Sequence, residues 1–519
     1  MKPFPRAGRA AKPRGTPRRS IVLRGSGLTL EQVAEVALDH RPVRLAPSAV
    51  AKMRAARAVV ERALAGDEPA YGINTGLGRL SDVRIPPARV RELQVNLLRS
   101  HACGVGEELP EGVVRAMLLL RANSLAKGFS GVRPKVVEAL CALLNRRVHP
   151  VVPSQGSVGA SGDLAPLAHL ALVLIGEGEA HVGGSRVSGA NALQRARLRP
   201  LVLEAKEGLS LLNGTQAMLA VGIAGLLHAE RLVDSAEIVG ALSLEALRGT
   251  PVAFDPRLQD VRGQAGQKIT AARLRALISG SAIRRSHRHC GRVQDAYCLR
   301  CMPQVHGAVR DTLAFARNVF TIEANAAVDN PLVFPGAGGG EVLSGGNFHG
   351  EPLAYALDYL AIVMCGLAGI SERRTERLTN PSLNEGLPAF LAANPGLDSG
   401  LMMAQVTAAA LVAENRVLAH PASVDSITTS GNKEDYVSMG MGAAIKLKRV
   451  LDNTTAVLGI ELIAASHALA HLEPLLPGRK LQAVLARVRQ EIPPLTADRE
   501  QSRDIKIADR LLRTGALLQ

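Results

Sequence analysis

Between Gly208 and about His471 the chain runs through long apolar, alanine-rich stretches with few helix breakers, among them 217–247, 352–378 and 436–469. Stretches of that length can bury their apolar surface only against one another, which predicts a bundle of long helices. Hydrophobic residues make up 47% of the 519 positions but aromatics only 3%, with no Trp, so the core is built from Ala, Leu and Val on closely approaching helices. The run from Leu353 to Ile370 approaches membrane-spanning length. Asp358 lies inside it and Glu372, Arg373 and Arg374 continue it, which favours a buried bundle helix over a membrane span.

Upstream, helical stretches at 48–64, 87–100 and 110–120 alternate with Gly- and Pro-rich loops near 72–78, 104–106 and 156–162. A β-prone piece at 20–23 precedes Thr29, which is placed to cap a helix running towards His40. Downstream, 480–519 reads as two amphipathic helices parted by Pro493 and Pro494. The chain therefore divides into a basic tail (1–19), a loop-rich helical N-terminal region (20–207), a central long-helix bundle (208–471) and a C-terminal helical segment (472–519).

The net charge of +16 first suggests a nucleic-acid partner, but its distribution argues otherwise. Lys2, Arg6, Arg9, Lys12, Arg14, Arg18 and Arg19 fall in the first twenty positions with no acidic residue, leaving 16 − 7 = +9 for the rest. With Pro3, Pro5, Pro13 and Pro17 interleaved, the tail is expected to be a disordered, solvated extension without the apolar core of a secretory signal. A basic helical nucleic-acid-binding protein, the non-enzyme alternative, is disfavoured by the scarcity of aromatics. Six cysteines at irregular spacing fit reduced thiols and a cytoplasmic protein.

The most informative segment is Gly156-Ser157-Val158-Gly159-Ala160-Ser161-Gly162-Asp163-Leu164-Ala165-Pro166-Leu167. Its plain reading is a Gly/Ser turn with Asp163 capping the helix that follows. A sharper reading starts from Gly162, which lacks the Cβ that would block its amide nitrogen from attacking the Ala160 carbonyl carbon. Loss of water closes a five-membered ring. A second dehydration, at the Ser161 side chain, leaves a methylidene conjugated to the ring carbonyl, an electrophile no ordinary side chain supplies.

The twelve residues resemble the signature of the methylidene-imidazolone-dependent aromatic amino acid ammonia-lyases and aminomutases, and further matching motifs run from about Tyr71 to Met439. The resemblance implies a mainly α, fumarase/aspartase-like bundle, assembled as a homotetramer whose active sites draw on more than one subunit. It also implies a methylidene-imidazolone formed from Ala160, Ser161 and Gly162, with no diffusible cofactor. Tyr71, in Tyr71-Gly72-Ile73-Asn74-Thr75-Gly76, matches the family's proton-transfer tyrosine on a mobile loop. Asn213, in Leu211-Leu212-Asn213-Gly214, matches the amide that hydrogen-bonds the modified ring, where an uncharged donor meets developing negative charge. Gln294, Tyr297 and Arg300 match substrate-site positions, with Arg300 the bidentate partner for the α-carboxylate. Asn330 fits a loop near the modified ring, and Phe348 matches an aromatic packed against it, although a core role suits Phe348 nearly as well. Ala296 and Cys298 depart from the usual Pro and Ser. Cys298-x-x-Cys301, with His287, His289 and Cys290 upstream, is weak as a metal motif, and no metal is expected.

Substrate choice has to come from outside the electrophile. His101, in Ser100-His101-Ala102-Cys103-Gly104, can hydrogen-bond an imidazole or a phenol but would be left unpaired by phenylalanine. Glu434, in Ser430-Gly431-Asn432-Lys433-Glu434, stands where histidine-specific relatives carry Glu, and a carboxylate can pair with an imidazole N–H. Lys433 departs from the usual Gln and could pair with Glu434 or Asp435. The reading is ammonia elimination from histidine to urocanate, with a tyrosine ammonia-lyase or tyrosine 2,3-aminomutase as the alternative.

Overall fold

A computed structural model describes residues 19–518. Apart from Arg19, the expected basic tail lies outside the described residues. Four helices carry the bundle: Gln216–Ala246, Met302–Glu323, Glu351–Thr379 and Gly440–Ala470. Their inward faces are apolar and fully buried, with Leu226, Phe320, Leu357, Met364, Leu447 and Leu458 among the core residues. The scarcity of large side chains is a packing device. A Cβ on Gly222 would lie 3.0 Å from Leu357 and 3.1 Å from Phe320, so glycine there lets the neighbouring helices close.

Two helices, Gln216–Ala246 and Glu351–Thr379, are long and apolar enough to cross a membrane by length and composition. Of their apolar windows, 78% and 56% respectively are buried inside the protein. Asp358 and Arg374 on the second helix are buried and paired. Asp358 accepts from the Ser423 amide at 2.8 Å, with Lys446 at 3.5 Å. Arg374 grips Glu461 through Nε and Nη2, at 2.5 and 2.9 Å, and the Ser243 and Ser371 hydroxyls donate to the same carboxylate. Both side chains are fully buried, and such a pair persists because every polar atom is answered.

In the N-terminal region Thr29 and Gln32 form a capping box that starts the Leu30–Asp39 helix. Short strands tie the loops down: Ile21–Leu23 pairs in parallel with Val43–Leu45, and Val105–Glu108 pairs antiparallel with Pro153–Gln155. The main apolar core runs without interruption from Ile21 to Leu517. The C-terminal helices, Arg479–Glu491 and Gln501–Thr514, flank Pro493 and Pro494. One expectation needs correction: the last bundle helix starts at Gly440, not Tyr436. The two residues before it serve a different contact, in which the Met439 amide donates to Val158 O and the Ser438 hydroxyl donates to Gly159 O.

Candidate active site

Those contacts dock the Gly156–Gly162 loop against the start of a bundle helix. Within the loop, Ser157 Oγ accepts from the Gly159 amide at 3.2 Å, and Gly159 and Gly162 have φ of +70° and +75°. At Gly162 any Cβ would collide with the Gly214 backbone, so only glycine lets the two segments meet. There the Asp163 amide donates to Gly214 O at 2.7 Å, and Asn213 Nδ2 donates to Ser161 O at 3.1 Å.

Asp163 does not cap its own helix as the plain reading held. Its Oδ2 accepts from the amides of Ala217 and Met218, at 2.9 and 2.8 Å, and its Oδ1 accepts from Ser157 Oγ at 2.9 Å. It therefore caps the first turn of the Gln216–Ala246 helix and ties that helix to the loop. Burial pushes its carboxyl up to about 6 against these hydrogen bonds.

The Asn213 segment is held from both sides. Gln94 Oε1 accepts from the Gly208 and Leu209 amides at the start of the Glu207–Leu212 helix. Lys206 Nζ, fully buried, meets Asp329 Oδ2 at 2.8 Å, and Ser210 Oγ donates to the same oxygen. Asp329 precedes Asn330, whose Oδ1 accepts from the Gly345 amide at 2.7 Å. Nothing periodic in the sequence marks Gln94, Lys206 or Asp329 as supports, and Lys206, set between Glu204 and Glu207, reads there as a surface residue.

Glu434 reaches the loop from the far side of the chain. Ser430, Gly431 and Asn432 all adopt left-handed φ, a tight turn that folds Thr429 back to pair with Glu434. The Thr429 and Ser430 hydroxyls then donate to Glu434 Oε2, at 3.0 and 2.6 Å, and Ser161 Oγ donates to Oε1 at 2.5 Å. Lys433 is exposed and forms no ion pair with Glu434 or Asp435, which corrects the expected pairing.

Tyr71 and His101 lie within electrostatic reach of Glu434. Burial, reinforced by the Glu434 charge, pushes the Tyr71 phenol above its ordinary range, so it holds its proton at rest. Burial pushes the His101 imidazole down despite Glu434, so the ring is neutral. Its Nδ1 is 2.9 Å from Leu97 O, a pure acceptor, and therefore carries the ring proton. That leaves Nε2 as an acceptor, so His101 and the Glu434 carboxylate offer two acceptors. Phe348 is half-buried in the loop before Gly350, and Gly350 packs on Met218 beside Gly159 and Ser438.

Gln294, Tyr297 and Arg300 form a second group elsewhere. Arg300 stacks on the Tyr297 ring at 4.6 Å, Tyr297 is 71% exposed, and Gln294 and Arg300 line a cleft of about 820 Å³ to which the Ser161 loop does not contribute. Cys298 and Cys301 are half-buried, unbridged thiols in the same segment. Among the described residues the grouping with metal-like spacing is His40, Glu111 and His149, not these cysteines. Arg115 Nη1 donates to His149 Nε2 there, which leaves the His149 Nδ1 proton facing Glu111 at 3.5 Å and engages the nitrogen a metal would need.

The sequence profile of the aromatic amino acid lyases matches residues 28–490. The chain belongs to the aromatic amino acid lyase family. As such it is a carbon–nitrogen lyase. The histidine ammonia-lyase of Koribacter versatilis (strain Ellin345) is 60% identical over 509 residues, covering 96% of this chain and 99% of that protein. In fold, the lyase resembles the crystal structure of histidine ammonia-lyase from Trypanosoma cruzi, with TM-score 0.88 and 42% identity over 96% and 94% of the two chains. It also resembles a tyrosine aminomutase from Streptomyces globisporus, with TM-score 0.91 and 39% identity over 96% and 98%.

Proposed function

We propose that this lyase eliminates ammonia from L-histidine to give trans-urocanate, as a cytoplasmic homotetramer, using a methylidene-imidazolone formed from Ala160, Ser161 and Gly162. The observation that carries the reading is the Glu434 carboxylate, oriented by two hydroxyls and aimed at Ser161 beside His101 and Tyr71. The 60% identity to a histidine ammonia-lyase supports it.

The local residues fit the modified ring. Gly162 has no Cβ to oppose closure, and Asn213 donates to the Ser161 carbonyl, the oxygen that remains as the ring carbonyl. Asn213 Oδ1 is buried without a partner, so the amide has capacity to spare at this point. When formed, the group supplies an electrophilic methylidene carbon. Asn213 stabilises negative charge on the ring oxygen without offering a competing acid. Glu434 accepts an N–H from the substrate ring, and Arg300 takes the α-carboxylate. Tyr71, protonated at rest, moves a proton once the substrate ammonium has entered and offset the Glu434 charge.

Arg300 and Ser161 stand in separate groups within one chain, which supports active sites shared between subunits. An exposed apolar stripe supports the tetramer: Phe315, Tyr355, Tyr359 and Ile362 all face outward, with the Phe315 and Tyr359 rings 6.0 Å apart. The deciding experiment is turnover of histidine, followed as urocanate absorbance, beside tyrosine followed as coumarate and β-tyrosine. Preference for tyrosine would replace this reading with the tyrosine lyase or aminomutase.

A further inference from the structure

The cleft that Arg300 lines has a charge composition that a single substrate carboxylate does not explain. Six arginines line it (Arg248, Arg284, Arg285, Arg288, Arg292 and Arg300), against the single carboxylate of Asp295. Asp295 is already engaged, accepting from the Thr250 amide at 2.6 Å with Arg292 at 3.3 Å. Arg292 is further tied to Glu385 and to the Leu247 and Arg248 carbonyls, and Arg285 donates to Gly280 O. The side chains of Arg248, Arg284 and Arg288 make no hydrogen bond or ion pair among the described residues. Glu245, behind Arg284, is engaged by Ser281 and the Gly478 amide. Two polar atoms at the cleft wall, Arg300 Nε and Gln304 Oε1, are buried without partners.

Like charges gathered in a half-enclosed cleft repel one another unless an anion joins them. One α-carboxylate at Arg300 satisfies one guanidinium and leaves three. We propose that this cleft binds a small phosphoryl oxyanion, held by Arg248, Arg284 and Arg288 next to Arg300. Planar guanidinium forks match the several oxygens of a phosphoryl group, and three such side chains lining one cleft suit a ligand carrying more than one negative charge. The site adjoins Arg300, and so the proposed substrate-carboxylate position, but Arg248, Arg284 and Arg288 have no role assigned there, and the proposal does not rest on histidine being the substrate.

The test is calorimetric titration of the full-length protein with inorganic pyrophosphate and, in a second arm, with ADP, at constant ionic strength. Saturable binding of about one pyrophosphate per chain is expected, and the double variant Arg284→Gln/Arg288→Gln should bind at least about tenfold more weakly. Equal binding of ADP would identify the ligand as a nucleotide diphosphate group, and pyrophosphate alone as a free oxyanion. In the double variant, kcat for ammonia release should stay within about twofold of wild type, which shows that the fold is intact. Absence of saturable binding overturns the proposal and points to closure of the cleft by acidic side chains of a second copy. Binding that the double variant leaves unchanged also overturns it. A protein inactive on histidine that still binds pyrophosphate would refute the substrate reading alone.

Discussion

The Ser161 hydroxyl donates a 2.5 Å hydrogen bond to Glu434 Oε1 across 273 positions of sequence. On the proposed chemistry that hydroxyl is the group lost in the second dehydration. Glu434 would then hold Ser161 before the ring forms and be released to meet substrate afterwards. The Thr429 and Ser430 hydroxyls on Oε2 keep the carboxylate aimed through both stages.

Intact-mass measurement should therefore find the purified protein two water molecules lighter than its sequence, with the loss mapping to the peptide that contains Ser161. Ser161→Ala should restore one full-mass, inactive chain. An unmodified mass in an active wild-type protein would refute the electrophile.

Among the described residues, Asn213 is the side chain that donates to the Ser161 carbonyl. Asn213→Ala should lower kcat by about 10² to 10³, the usual cost of one lost donor to developing negative charge. Circular dichroism and tetramer content should be unchanged. A loss below about fivefold would mean that the ring oxygen draws its stabilisation from elsewhere.

Asp163 gives a pH signature. Its carboxyl is pushed up to about 6 in the fold, from 3.8 in the unfolded chain. Between those values the folded state binds more protons than the unfolded state, so this residue's contribution is complete below about pH 4 and falls as pH rises through 6. Relative to Asp163→Asn, which cannot titrate, wild type should lose on the order of 3 kcal/mol across that window. The check is the difference in Tm between the two proteins at pH 4.5 and pH 7.5. A gap that widens in wild type's favour with rising pH would contradict the assignment.

Separation of Arg300 from Ser161 within one chain predicts complementation. Ser161→Ala and Arg300→Met should each be nearly inactive alone, whereas co-expressed chains should recover part of the activity. If the proposed tetramer shares its sites, mixed assemblies would contain some that draw Ser161 from one subunit and Arg300 from another, both intact. No recovery in verified hybrids would show that both residues serve a site from the same chain.

The long helices were legible because their apolar runs are continuous: the expected 217–247 and 352–378 are observed as Gln216–Ala246 and Glu351–Thr379. The Tyr436–Met439 segment was misread as helix because it runs straight into the apolar stretch that follows, and only docking of the Val158–Gly159 loop shows Ser438 and Met439 to be needed elsewhere. Motifs carried the identities of Ser161, Asn213 and Glu434. They did not carry the supports, because Gln94, Lys206 and Asp329 act through contacts spanning more than a hundred positions that no local pattern encodes. Asp163 sat inside the motif, yet its role was hidden: the helix it caps begins fifty-odd residues later.

On the proposed function, specificity would follow from two acceptors, His101 Nε2 and the Glu434 carboxylate, which lies within electrostatic reach of His101. Leu97 O fixes the His101 proton on Nδ1, so Nε2 accepts, and the Glu434 carboxylate accepts as well. A phenol has one O–H and leaves one of them unanswered, whereas an imidazole that takes up a proton beside Glu434 offers two N–H donors. An unmet hydrogen bond to a charged group costs about 1.5 to 3 kcal/mol, or roughly one to two orders of magnitude in specificity. On one preparation, kcat/KM for histidine should therefore exceed that for tyrosine by at least about tenfold, with phenylalanine lower still. Glu434→Gln should lower histidine turnover far more than residual turnover of tyrosine, because the amide neither carries the charge that holds the second proton nor accepts as strongly. Lys433→Gln should change neither ratio, since Lys433 is exposed and unpaired with Glu434. If tyrosine led, or if Lys433→Gln reversed the preference, Glu434 would not be the residue that reads the imidazole.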